Sequence, residues 1–190
     1  MKIVPGLIFG LAGCWQMTVY VGPRMDADGV VGLEVGASMG GAAPVGRSAI
    51  TTSIDSSGVY PDKHRARAAA ARLAMEEQQP VAKQQLNGMI RGVVEWTESP
   101  VGSDRFVRTS GLGWRAGVYG GVAVQEDQSL RPLVGVQAAL SPLVWGLDDA
   151  WSKQFIALGV QLGTEAVPGA DIFVMRAALT CDMQFLPRRW

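Results

Sequence analysis

Asp28 to Gly40 alternates cleanly, and no other feature restricts the fold of this chain so strongly. Val31, Leu33, Val35, Ala37 and Met39 point one way, while Gly32, Glu34, Gly36, Ser38 and Gly40 point the other. A period of two belongs to an extended strand, whose successive side chains leave opposite faces. A helix cannot keep these two sets apart. The chain must therefore build a sheet with one apolar and one small-residue face.

Leu112 to Gln125 repeats the design, with Leu112, Trp114, Ala116, Val118, Val122 and Val124 on one face. Gly113, Arg115, Gly117, Tyr119, Gly121 and Ala123 stand opposite. Gln154 to Glu165 sets Ile156, Leu158, Val160 and Leu162 against Ala157, Gly159, Gln161 and Gly163. Asp171 to Phe185 sets Phe173, Met175, Leu179 and Cys181 against Arg176, Ala178, Thr180 and Asp182. Arg131 to Ser141 is a weaker strand, and Gln16 to Gly22, Val45 to Ile54 and Met89 to Thr97 alternate less tidily. Turn signals separate these runs at Asp26-Ala27-Asp28-Gly29, Gln125 to Gln128, Leu147-Asp148-Asp149 and Val167-Pro168-Gly169. The expected fold is all-β, an antiparallel meander of roughly eight strands that resolves its edges by closing into a barrel. Close packing of two Gly-rich sheets in a sandwich is the other architecture such faces permit.

Which face is inside decides the class of protein. A ligand-carrying barrel lines its cavity with the apolar face and shows water the polar one. A membrane barrel does the reverse. Here the second face is rich in Gly, Ala and Ser, with isolated Glu34, Arg115, Tyr119, Gln137, Gln161, Arg176 and Asp182. A water-facing sheet carries more Lys, Glu and Thr. Small residues with sparse mixed charges suit a narrow lumen in which opposite charges pair. With strands long enough to cross a bilayer, the mature part resembles small outer-membrane-type β-barrels. Trp190 supplies the terminal aromatic of that pattern, although Pro187-Arg188-Arg189 breaks the alternation before it.

One segment, Pro61 to Gln79, reads as a helical insertion: Ala66 to Ala71 has high helix propensity and Pro80 closes it. Its basic residues (Lys63, His64, Arg65, Arg67) gather at the start and Glu76-Glu77 at the end, against the helix dipole. This is expected to be a solvated loop insertion between two groups of strands.

At the N-terminus, Met1-Lys2 gives a positive charge, Ile3 to Phe9 is nearly all apolar, and Leu11-Ala12-Gly13-Cys14 follows. Charged start, short apolar core and small-residue cleavage site make an export signal, too short to span a bilayer. The four residues ending at Cys14 resemble the lipobox of bacterial lipoproteins. That resemblance implies a signal peptide over 1–13, cleavage, and a lipidated Cys14 as first residue of a single barrel domain over 14–190. Two or more acyl chains hold a protein stably at a membrane where one does not. Trp15 after the cysteine implies the outer membrane. Cys181 is then a free, buried thiol, and a Cys14–Cys181 disulfide is the alternative an exported protein permits.

Lys plus Arg and Asp plus Glu both total 17, so no basic excess points to nucleic acid. His64 is the only histidine and lies in an exposed charged run with no nucleophile turn beside it. Asp26-Ala27-Asp28-Gly29 lacks the remaining ligands of a calcium loop, and Gly40-Gly41 and Gly120-Gly121 lack phosphate-loop spacing. No cofactor or metal is expected, and an enzyme would have only Glu34, Glu95, Glu165 and Asp182 as candidate acids. The tryptophans at 96, 114, 145 and 151 suit an interfacial girdle, a ligand cavity or plain packing. The expectation is a non-enzymatic cell-envelope lipoprotein, held by membrane lipid through Cys14, whose barrel is structural or membrane-organising. The alternative is a lipocalin-like barrel holding a small apolar ligand.

Overall fold

A computed structural model describes residues 15–26, 29–45, 48–61, 86–98, 113–125, 129–148, 152–168 and 172–187. They form eight strands: β1 Trp15–Asp26, β2 Gly29–Val45, β3 Ser48–Pro61, β4 Leu86–Glu98, β5 Gly113–Gln125, β6 Leu130–Asp148, β7 Ser152–Val167 and β8 Ile172–Pro187. Each pairs antiparallel with the next, and β8 returns to β1, so the sheet is a closed barrel in sequence order. The meander and its closure agree with the alternation, and the sandwich does not form.

Register fixes the shape. From Gln16, successive partners Gly40, Ser53, Val93, Tyr119, Gly135 and Glu165 lead to Val174 on β8. Gln16 itself pairs with Gln184, so the ladder closes ten residues (184 minus 174) from where it began. That stagger, at ~3.3 Å per residue and ~4.8 Å between strands, tilts the strands by about 40°. Eight strands so tilted leave an interior just wide enough for side chains to fill.

Several strand limits differ from the sequence reading. β1 runs past Gly22 to Asp26, and β3 runs past Ile54 to Pro61. Polar residues on their inner faces had hidden the alternation. Pro61, read as a helix start, ends β3 opposite Gly32; the rest of the 61–79 insertion lies outside the described residues. β6 continues through Leu147 and Asp148 after an irregularity between Leu140 and Leu143, so those two residues are strand and not turn. β8 extends to Pro187. Asp26 pairs with Gly29; the expected turn residues 27–28 lie outside the described residues.

The apolar face turns outward. Leu33, Val118, Leu158 and Met175 are 45%, 58%, 40% and 47% exposed on the outer wall. Glu34, Arg115, Gln137, Gln161, Arg176 and Asp182 are buried in the lumen. This is the reverse of what an apolar-ligand carrier requires, and it overturns the lipocalin-like alternative.

Two glycines make room for the largest inward side chains. Gly36 is the register partner of Tyr20, and Gly135 of Tyr119. A Cβ at Gly36 would strike the Tyr20 ring and Ser57, and one at Gly135 the Tyr119 ring. An aromatic laid across a glycine of the next strand covers exposed backbone and pins the register.

Candidate functional site: the filled lumen and the apolar wall

The lumen is layered along the barrel axis. At the end carrying the chain termini lie amides and hydroxyls, among them Gln16, Thr51, Thr97 and Ser141. Above them Arg115 of β5 reaches Asp182 of β8 through Nη1, Gln161 through Nη2 (3.0 Å) and Glu95 through Nε (3.4 Å). Thr18 donates to the same Asp182 oxygen at 2.6 Å. Gln137 donates to Glu95 at 2.8 Å and accepts from Gln161 at 2.9 Å and from Arg176. It joins this tier to the next.

The second tier holds three arginines against three carboxylates. Arg91 meets Asp55 (2.8 Å), Glu34 (2.9 Å) and Glu165 (3.0 Å). Arg24 meets Glu165 at 2.6 Å and Glu34 at 2.9 Å. Arg176 reaches Glu34 at 3.4 Å and lies over the rings of Tyr119 (4.9 Å) and Tyr20 (5.6 Å). Tyr20 donates to Asp55 at 2.9 Å. Met89, Val93, Tyr119, Ala123, Leu133 and Val167 form an apolar cluster that reaches toward the opposite end.

No side chain in these ion pairs is more than 6% exposed. A water-filled channel would leave them wetted, so the described lumen is a plug and not a pore. Charges taken out of water persist only when paired and hydrogen-bonded, and each arginine here faces at least one carboxylate.

Of the residues named from sequence, Glu34, Glu95, Glu165 and Asp182 all lie in this network, each ion-paired. All four are buried. Among the described residues no group of three or more His, Cys, Asp or Glu is placed to hold a metal ion. Cys14 and the 1–13 segment lie outside the described residues. Cys181 is free and half-buried on the outer wall, where the sequence reading had it buried. Its partner across the seam is Val19; Cys14, the other half of the alternative disulfide, lies outside the described residues. Sequence reasoning missed Tyr20, Arg24, Asp55 and Arg91. The usable signal was Met89-Arg91-Val93-Glu95-Thr97 interleaved with Ile90, Val94 and Trp96, an alternation whose inner face is mixed.

Among the residues whose exposure is described, the outer wall carries no Asp, Glu, Lys or Arg; Glu98, the register partner of Trp114, ends β4 at the rim. From Trp114 to Val124 along β5 the apolar stretch is about 25 Å tall, the height of a membrane barrel's apolar band. Trp15, Trp96, Trp114 and Trp145 are all exposed at the terminus-bearing end, and Tyr60 and Phe173 at the other. Trp151 lies outside the described residues. The cavity reading of Trp96, Trp114 and Trp145 is therefore excluded. No described helix is long and apolar enough to cross a membrane, which says nothing about a barrel.

Wall, lumen and closure together define an outer-membrane-type eight-strand β-barrel. Comparison with solved structures agrees. The chain superposes on the crystal structure of Neisserial surface protein A (NspA) with a TM-score of 0.53, covering 90% of this chain and 94% of that one at 9% identity. That likeness establishes shared fold and nothing finer. A de novo designed transmembrane β-barrel also matches, at 11% identity over 97% of this chain and 99% of that one, with a TM-score of 0.35. No protein-family model matches the sequence, and neither does any curated protein.

Proposed function

We propose that this chain is a non-enzymatic outer-membrane barrel that spans the bilayer and serves a structural or membrane-organising role. The observation that carries the reading is the uncharged apolar wall around a plugged, charge-paired lumen. A wall of that kind is costly in water and is satisfied by lipid, while a filled lumen argues against bulk conduction. The tryptophans at one rim suit the interface between headgroups and acyl chains.

Acylation of Cys14 completes the proposal. β1 begins at Trp15, the residue after Cys14, beside the tryptophan rim. Acyl chains on Cys14 would enter the leaflet against which that rim rests, so anchor and barrel occupy the membrane together.

Two experiments test this. Val118→Arg, at mid-height of the wall, should destabilise the bilayer-inserted barrel by about 2–4 kcal/mol, and Leu158→Arg, nearer the tryptophan rim, by less. The check is urea unfolding in lipid vesicles; equal, negligible effects with the protein remaining outside the vesicles would reject the spanning barrel. Mass spectrometry of the mature N-terminus from fractionated membranes tests the anchor. A diacylated or triacylated Cys14 supports it, and an unmodified Met1 ends it.

A further inference from the structure

Seven of the eight strand junctions join strands that follow one another in the chain. The β1/β8 junction alone joins strands that do not, and its ladder is interrupted. Val21 pairs with Leu179, and pairing resumes in the same register at Arg24 and Arg176. Between them Gly22 and Pro23 make no pair with Ala178 and Ala177. Proline brings no N–H to a ladder. The strands nevertheless touch there, since a Cβ on Gly22 would collide with the backbone of Ala177 and Ala178.

The pair that resumes the ladder is itself unfavourable. Among the described register partners, Arg24 and Arg176 are the one pair that sets two like charges opposite each other. Like charges in that position push strands apart. Both are buried, at 1% and 4% exposure. Each is answered across the junction: Arg24 of β1 by Glu165 of β7 at 2.6 Å, and Arg176 of β8 by Glu34 of β2 at 3.4 Å. The links run crosswise, tying each seam strand to the strand behind its neighbour.

We propose that β1/β8 is the seam at which this barrel opens and closes, and that the crossed pairs Arg24–Glu165 and Arg176–Glu34 are its latch. With the carboxylates in place the two arginines draw the seam shut. Without them the same arginines force it open at the point where the ladder is broken. The proposal rests on the fold alone and holds in micelles as in a bilayer.

The test uses the full chain with Cys14→Ser and Cys181→Ser, refolded in detergent micelles. One disulfide staple crosses the seam (Val21→Cys with Leu179→Cys) and a control staple crosses β5/β6 (Val118→Cys with Val136→Cys), both pairs being register partners. Glu165→Gln should lower the urea midpoint of the unstapled barrel. The seam staple should abolish that difference, and the control staple should leave it intact. Equal rescue by both staples, or by neither, overturns the latch. Should Glu165→Gln fail to fold, hydrogen exchange on the unsubstituted protein decides. Amides of 19–25 and 175–181 should exchange on the order of tenfold faster than those of 116–122 and 134–140; equal or slower exchange at the seam overturns the proposal.

Discussion

The two charged tiers of the lumen bury the same groups with different balances. In the tier farther from the termini, Arg24, Arg91 and Arg176 face Glu34, Asp55 and Glu165, and charge is matched. In the tier nearer the termini, Arg115 alone faces Asp182 and Glu95. The matched tier lies beside the apolar cluster, where an unpaired charge is most costly. The unmatched tier borders amides and hydroxyls that can share the excess. Balance is strict where surroundings are apolar and looser where they are polar.

Breaking the matched tier should have the largest effect. Arg91 is fully buried and touches three carboxylates, and removing one partner of a buried ionic cluster typically costs about 3–5 kcal/mol. Arg91→Met should fall in that range by urea unfolding in micelles, and Arg115→Met should cost about 3 kcal/mol, toward its lower end. A larger loss for Arg115→Met would reverse the ranking of the tiers.

Next comes the packing that holds the matched tier in place. Gly36→Ala and Gly135→Ala would press a Cβ into Tyr20 and Tyr119. Tyr20 cannot yield freely, because its hydroxyl is bonded to Asp55 and accepts from Arg91 at 3.2 Å. A loss of about 1–3 kcal/mol is expected for each, and thermal melting with unchanged circular dichroism is the check.

The smallest effect sharpens the contrast. Glu95→Gln removes the surplus carboxylate of the unmatched tier while keeping an acceptor for Gln137. It should shift stability by less than about 1 kcal/mol or raise it, whereas Glu165→Gln should clearly destabilise. Equal losses from the two would show that charge balance does not distinguish the tiers.

Much of this could be read in the sequence. The faces of β2, β5, β7 and β8 were legible because nearly every second residue is large and apolar. β1 and β3 were cut short because Arg24 and Asp55 ended the apparent pattern, although both occupy correct inward positions. The lumen site was half legible: Glu34, Arg115, Gln137, Arg176 and Asp182 stood out as polar interruptions on a small-residue face. Arg91 did not, since its neighbours Met89 and Val93 are apolar and also point inward.

What the sequence alone determined is the local alternation, hence strands, turns and two chemically distinct faces, because side-chain direction in a strand depends only on position parity. Which face turns inward, and which charges meet, came from closure. Arg24 and Glu165 are 141 residues apart, and Thr18 and Asp182 are 164. Only a ten-residue stagger in a ring of eight strands brings them within hydrogen-bonding distance. A lumen of that width has room for small residues and a few paired long ones, so the larger apolar side chains are left on the outer wall.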